Sequence, residues 1–402
     1  MLKKLLCLLL IVGLAISVST KEANAATVAL AVPLNDLVNV YENRTGSLVP
    51  MAVMRINQPL VIHADYGTKW WQVKLGNGYG YVYKGDVFRS TNWATQNVNS
   101  SYMNTNTTVI TKVDADVFDN TSGSLVPMTI LKANYRYPVI ADSGNFWKVG
   151  VGGRIGYVAK VRVETDNGVP VLMYHHILTP EDKTDSPFAT AATTVTTTEF
   201  NSQIDYLASQ GYTSISMYDL ERYLNKRVNL PAKSVVITFD DGIISTREYA
   251  YPKLKQHGFI AEQFIITSRI PASPATFDHK RLHFLSQQDM DTMNDVYSYE
   301  SHTHNLHNLD GSNSSQVLTK TDAEVYTDIQ TSQGILGGSK YFAYPYGQYD
   351  TGTINTLKSL GFTMAVTTKN GKVTLGENKL EMDRVGVLPG VGVTEFADKV
   401  DN

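Results

Sequence analysis

At 402 residues the chain is longer than one ordinary domain and holds ample material for a buried core. A formal charge of -3, with 18% charged residues and no long basic run, gives no footing for nucleic acid or an anionic membrane as the main partner. The N-terminus carries Lys3 and Lys4, an apolar run from Leu5 to Val18 and the triplet Ala23-Asn24-Ala25, the pattern of a secretory leader cleaved after Ala25. That run is shorter than the ~20 apolar residues a spanning helix needs, which argues against a retained transmembrane anchor. The single cysteine, Cys7, leaves with this leader (residues 1–25), so neither disulfide nor thiolate chemistry is expected of the secreted protein.

An internal repeat follows. Val40-Tyr41-Glu42-Asn43 with Gly46-Ser47-Leu48-Val49-Pro50-Met51 returns 77 residues later as Val117-Phe118-Asp119-Asn120 with Gly123-Ser124-Leu125-Val126-Pro127-Met128. Trp71-Gln72-Val73 with Gly80-Tyr81-Val82 returns as Trp147-Lys148-Val149 with Gly156-Tyr157-Val158, one residue out of step. Each copy reads as short strands rich in Val, Ile, Tyr and Trp, broken by Gly, Asn and Asp turns, which predicts small β-barrels. The repeated Trp71, Trp147, Tyr81 and Tyr157 are expected in the barrel cores; Trp70, Tyr66, Tyr79 and Tyr135 are expected at the surface. The W-x-V and G-Y-V pattern resembles bacterial SH3-like domains. That resemblance implies two modules, residues 30–92 and 105–165, of the kind that attach secreted hydrolases to the cell wall.

From Gly168 the texture changes. Strands are predicted over 169–174, 235–239, 260–266, 296–301, 341–343 and 362–367. Between them stand helices: one with Phe200, Ile204 and Leu207 on one face before Gly211, one ending at His257-Gly258, one over 322–335 and one closing at Leu360-Gly361. Repeated βα units imply a parallel sheet, open or closed into a barrel, with the chemistry at strand ends.

Four polar clusters fall at those ends. Thr238-Phe239-Asp240-Asp241-Gly242 offers two carboxylates; both can face one site only if the chain twists out of the strand, which Gly242 permits, and the alternative is a helix cap. Ser301-His302-Thr303-His304-Asn305-Leu306-His307 places three of the nine histidines within six residues. Two imidazoles and a carboxylate are a common set for Zn²⁺ or a similar divalent ion, against the alternative of a solvated loop. Tyr344-Pro345-Tyr346-Gly347 is a turn that can present a backbone N–H to an oxyanion, or simply a turn. Tyr174-His175-His176 supplies an imidazole able to serve as a general acid.

Together these clusters resemble the polysaccharide deacetylases of carbohydrate esterase family 4, the NodB-homology family, over residues 168–402. The resemblance implies a multidomain chain: two small all-β SH3-like barrels, then an α/β domain in the form of a distorted (β/α) barrel. It implies that Asp240 is the catalytic base, that Asp241, His302 and His307 hold one divalent ion (Zn²⁺, with Co²⁺, Ni²⁺ or Mn²⁺ as alternatives), and that the Tyr346 N–H helps form an oxyanion hole, with Tyr344 and Pro345 beside the substrate. Three features depart from the usual pattern: the histidines are five apart, Ala343 stands where an arginine is usual, and no late L-x-H segment is present. These departures resemble the branch acting on poly-N-acetylglucosamine, in which an early M-Y-H segment supplies the acid. His175 is then the acid, His176 the second choice, and Arg384 the replacement arginine, expected with Tyr344 and Pro345 to contact the substrate. The expected protein is secreted or wall-associated and removes acetyl groups from a cell-surface polysaccharide, either poly-N-acetylglucosamine or peptidoglycan. An inactive wall-binding protein and a metal-dependent wall amidase are the competing readings.

Overall fold

The computed structural model describes residues 28–91 and 105–401. The expected leader, with Cys7 and the Ala23-Asn24-Ala25 pattern, lies outside the described residues, as does the end of the first module at residue 92.

The N-terminal region is all β. Its strands, from Leu30–Pro33 to Val163–Thr165, join in one antiparallel 14-stranded sheet that runs through both repeat copies. The seam is made by equivalent strands, Val49–Met54 of the first copy and Val126–Leu131 of the second. Ile130 pairs with Val53, its own counterpart in the repeat, with Thr129↔Met54 and Leu131↔Ala52 on either side. The copies are therefore related by a local two-fold axis through that pair. Thr129 Oγ1 donates to Val53 O across the seam at 2.6 Å. One apolar core holds residues of both copies, Val40, Met51, Val73 and Val82 together with Val117, Met128, Val149 and Val158. Merging two units of this size buries a larger share of their surface than either could alone.

Trp71 and Trp147 lie half-buried against this core, each beneath an equivalent lysine, with Lys84 Nζ 4.3 Å and Lys160 Nζ 4.4 Å from the ring centroid. Tyr135 is not at the surface as expected: it is buried, and its backbone bridges to Pro231 of the following domain.

The remaining chain is an α/β domain; the strands of its central ring we number β1 (Val171–Tyr174), β2 (Ser234–Asp241), β3 (Ala261–Ile265), β4 (Tyr297–Ser301), β5 (Tyr341–Ala343), β6 (Met364–Asn370) and β7 (Met382–Gly386), with the short strand Thr213–Ser214 added beside β2 and the pair His176–Leu178 and Thr194–Thr196 standing apart. Every neighbouring pair is parallel, and β1 hydrogen-bonds both β2 and β7, so the seven close into a ring. Alternation sorts the side chains of β2. Val235, Ile237 and Phe239 face out to Phe200, Ile204 and Leu207 of the helix Thr197–Ser209, and Val236 faces in with Phe264, Ala343 and Val366. Asp240 continues the inward set at the C-terminal end. Gly258 ends its helix at φ 67, as the sequence predicts, and Thr196 with Glu199 and Thr321 with Glu324 form capping boxes at the starts of two others. The closing strand β7 and the helix Val393–Asp401 have no counterpart in the sequence reading; β7 is short and polar, and parallel pairing on both sides creates it.

The β region meets the opposite end of the ring. Asn229, just before β2, accepts from Asn77 N and donates to Leu75 O, both at 2.9 Å. The buried Arg136 pairs with Asp166 at 3.0 Å and also reaches the carbonyl of Pro231. This end of the barrel is thereby fixed, and the ends carrying the four polar clusters stay open.

Candidate active site

Regular alternation would send Asp240 into the barrel and Asp241 out. Instead Asp241 takes φ 74 and Gly242 φ 72, so the chain swings out of the strand and both carboxylates come to one place. A non-glycine residue held there costs on the order of 1–3 kcal/mol of strain. Asp240 is buried, and its two oxygens each accept a 2.8 Å hydrogen bond from the guanidinium of Arg384, itself fully buried. Arg384 is anchored in turn through Nε to Thr367 O (2.7 Å) and through Nη1 to Thr238 Oγ1 (3.2 Å). Burial raises the Asp240 pKa, but the charge and hydrogen bonds of Arg384 outweigh it, with smaller help from His302 and His175, and hold the carboxyl far below the usual carboxylate range. Asp240 is therefore ionised at neutral pH. His175, at the end of β1, brings Nε2 to 3.7 Å from Asp240 Oδ2.

Asp241 Oδ1 lies 3.7 Å from His302 Nε2 and 3.3 Å from His307 Nε2, and the three groups offer ligand atoms that all lie within 4.8 Å of one another. Asp241 Oδ1 is buried without a hydrogen-bond partner, an acceptor aimed at two imidazole nitrogens. His302 Nδ1 stands 2.7 Å from Ala343 O. A carbonyl only accepts, so Nδ1 carries the proton and the Nε2 lone pair faces Asp241, the orientation a metal-ligating histidine takes. Burial lowers both pKa values to about 4, with His307 adding to the effect on His302 and Arg269 to that on His307. Both rings are therefore neutral at neutral pH, as ligation requires. A buried, unsatisfied carboxylate oxygen facing two neutral imidazoles fits a divalent cation, with open positions left for water and substrate.

The five-residue histidine spacing is absorbed by the loop between them. Thr303 takes φ 73. The N–H groups of His304 and Asn305 donate to the Asp328 carboxylate at 2.8 and 2.7 Å, and Thr267 N and Ser268 N donate to Thr303 O and His304 O. His304 turns away to Thr267 Oγ1 at 3.0 Å. Asp328 is a site residue the sequence reading misses; it sits on the helix Asp322–Ile335, where an aspartate reads as solvated surface.

Tyr346 takes φ 57 in the turn after β5, its ring 4.6 Å from that of His307 and its hydroxyl 3.3 Å from His307 O. Gly347 follows at φ 68, where a Cβ would fall 2.0 Å from Thr368 Oγ1, so only glycine fits. Three expected substrate contacts are placed differently. Tyr344 is buried, with its hydroxyl donating to Leu380 O at 2.8 Å and its ring stacked on Tyr349. Pro345 is buried as well, and the fully buried Arg384 presents its guanidinium to Asp240, so none of the three offers a surface to a sugar. His176 is also out of reach as the second-choice acid: Nδ1 meets Thr194 Oγ1 at 3.2 Å, Phe188 packs against its ring, and burial lowers its pKa to about 4.

Residues 227–365, a span that includes Asp240, Asp241, His302, His307 and Tyr346, match the family model for polysaccharide deacetylase. The chain carries a polysaccharide deacetylase domain. The chain is 28% identical over 198 residues to the poly-beta-1,6-N-acetyl-D-glucosamine N-deacetylase of Staphylococcus aureus (strain NCTC 8325 / PS 47), covering 48% of this chain and 67% of that one. It is 29% identical over the same length to the protein of that name from Staphylococcus epidermidis, with the same coverage. Among solved structures, IcaB from Ammonifex degensii is similar at 26% identity and a TM-score of 0.50, covering 59% of this chain and 98% of that one. The Streptococcus pyogenes deacetylase PplD in complex with acetate is similar at 25% identity and a TM-score of 0.50, covering 59% and 100%. The deacetylase domain is thus of NodB type and belongs with hydrolases acting on amides. His175 and Arg384, which meet at Asp240, lie outside the matched span on either side.

Proposed function

We propose that this protein is a secreted, metal-dependent N-deacetylase that removes acetyl groups from poly-β-1,6-N-acetylglucosamine. The observation that carries the reading is the cluster of Asp241, His302 and His307 beside an ionised Asp240 at the open end of the barrel. The substrate is argued from the relatives' names and from the early histidine at 175. The leader argues for export, and the two N-terminal copies, read as SH3-like modules at 30–92 and 105–165, for retention at the cell wall.

A divalent ion held by Asp241, His302 and His307, Zn²⁺ by its donor set with Co²⁺, Ni²⁺ or Mn²⁺ as alternatives, would acidify a water and polarise the acetamide carbonyl. Asp240 orients that water and takes its proton. Because Arg384 keeps Asp240 a weak base, the transfer proceeds only as the water attacks. The backbone N–H of Tyr346 faces the developing oxyanion. Protonated His175 gives its proton to the departing amine nitrogen, and Asp240, 3.7 Å away, returns one to His175 as the acetate leaves.

Acetate release by residues 26–402 from β-1,6-linked N-acetylglucosamine oligomers, with and without chelator, tests this. The expected result is release that chelator stops and that Asp241→Asn lowers at least about a thousandfold. Chelator-insensitive release would sink the metal assignment; no release from oligomers or peptidoglycan, with metal bound, would favour a binding protein.

A further inference from the structure

The two β copies share a scaffold and differ in one sheet face. In the first copy the strand Gly78–Tyr83 alternates Tyr79, Tyr81 and Tyr83 with the core-facing Gly80 and Val82. Directly paired residues share a face: Trp70↔Tyr83, Gln72↔Tyr81 and Lys74↔Tyr79 on one side, Tyr41↔Tyr81 on the other, and Tyr66↔Trp70 on the next strand. Six aromatic side chains, Tyr41, Tyr66, Trp70, Tyr79, Tyr81 and Tyr83, thus occupy one side of four adjacent strands. Trp70 meets Tyr41 and Tyr83 edge-on at 5.8 and 5.6 Å, and Tyr66 lies 4.7 Å from Tyr81.

The second copy holds the same register with other residues. There Phe146↔Ala159, Lys148↔Tyr157, Gly150↔Ile155, Tyr157↔Phe118 and Ser143↔Phe146 pair identically. Ser143, Ile155 and Ala159 stand where the first copy has Tyr66, Tyr79 and Tyr83, so the fold does not require the aromatic set. Tyr66 and Tyr83 are 48% and 41% exposed. Polar groups edge the rings: Gln72 Nε2 donates to Tyr81 OH at 3.2 Å and Asn39 Nδ2 to Tyr41 OH at 3.4 Å. At one side the face runs into a cleft where Gln72, Tyr79 and Tyr81 oppose Arg222 and Arg227 of the deacetylase domain.

We infer that this face is a second binding site, for a stretch of the amino-sugar polysaccharide chain. It rests on the polysaccharide reading of the deacetylase domain. Aromatic rings offer apolar faces to the C–H faces of sugars, and the tyrosine hydroxyls and Gln72 meet hydroxyl and acetamide groups. The β region docks at the barrel end opposite the site, so only a long polymer engages both, and binding at one raises its effective concentration at the other.

The test is calorimetric titration of hexamers of β-1,6-linked N-acetylglucosamine into residues 26–402 carrying Asp241→Asn, so that binding is read without turnover. Adding Trp70→Ala with Tyr83→Ala is expected to weaken binding about tenfold. Trp70→Phe with Tyr83→Phe, which keeps the rings, and Phe118→Ala with Phe146→Ala in the second copy are each expected to leave it within about twofold. In the otherwise native enzyme, Trp70→Ala with Tyr83→Ala leaves acetate release from a trimer unchanged. Unaltered hexamer binding by the Ala pair overturns the inference, as does binding of sugar-free wall peptides in place of hexamers. Loss of acetate release with hexamer binding intact would count against the catalytic reading and not against this face.

Discussion

The ends of β1 and β2 each carry a doublet of identical residues, and the two doublets are used differently. At His175-His176 the strand alternation is kept: His175 faces Asp240, and His176 is packed away against Phe188 and Thr194. At Asp240-Asp241 a left-handed backbone breaks the alternation, and both side chains reach the site, Asp240 saturated by Arg384 and Asp241 left with an unpartnered oxygen between two histidines. One residue's φ therefore decides whether a doublet supplies one functional group or two.

Removing Arg384 breaks the comparison most severely. Arg384→Met takes from the buried Asp240 carboxylate both of its hydrogen bonds and its permanently charged partner, a change that costs about 3–5 kcal/mol. Chemical denaturation of the metal-free protein is expected to show a loss of that size, and an unchanged midpoint would mean that Thr238, His175 and water suffice to hold the carboxylate. Gly242→Ala is the next largest. It places a Cβ at φ 72 and 2.8 Å from the Ile265 Cδ1. Ile265 can give way, but the left-handed turn is strained for alanine, and relaxing it swings Asp241 back toward the outer face. A displacement of about 1 Å at a reacting group costs about a hundredfold. Acetate release is expected to fall by about that factor with divalent-ion affinity falling alongside; full activity would show that Asp241 holds the turn unaided.

How far the sequence carries depends on which force sets each residue. Local signals were sufficient for the helix ends at Gly211 and Gly258 and for the helix Asp322–Ile335, because stop residues and periodicity act within a few residues. The doublet Asp240-Asp241 and the pair His302 and His307 were legible as chemistry because the residue types are rare at strand ends. Asp328 was not, since its role is to hold two N–H groups of a loop distant in sequence. Arg384 was picked out only as a substitute for a missing arginine, and nothing near it in sequence announces that β7 closes the ring against β1 and carries the guanidinium to Asp240. The repeat announced two β units, but the shared core and the pairing of Val53 with Ile130 depend on tertiary packing.

The mildest test sharpens the contrast within the first doublet. His176 has a folded pKa of about 4, lowered by burial from an ordinary value near 6.5. The unfolded chain thus binds a proton below about pH 6.5 that the folded protein refuses until about pH 4, and stability drains away as pH falls through that window. At pH 5.5 the share from this one residue is about 1 kcal/mol. Asp240 contributes nothing there, since a depressed carboxyl gives up its stabilisation only as pH falls below the unfolded carboxylate value near 4. His302 and His307 titrate in the same window when no ion is bound, so the measurement is a difference: the stability of His176→Phe and of the parent, compared at pH 7.5 and pH 5.5 in chelator. The substitution is expected to flatten the pH dependence by about 1 kcal/mol while acetate release by the metal-loaded enzyme stays within a few-fold. A large loss of activity with a matching change in its pH profile would instead place His176 in the chemistry, and the doublet at β1 would then supply two groups, like the one at β2.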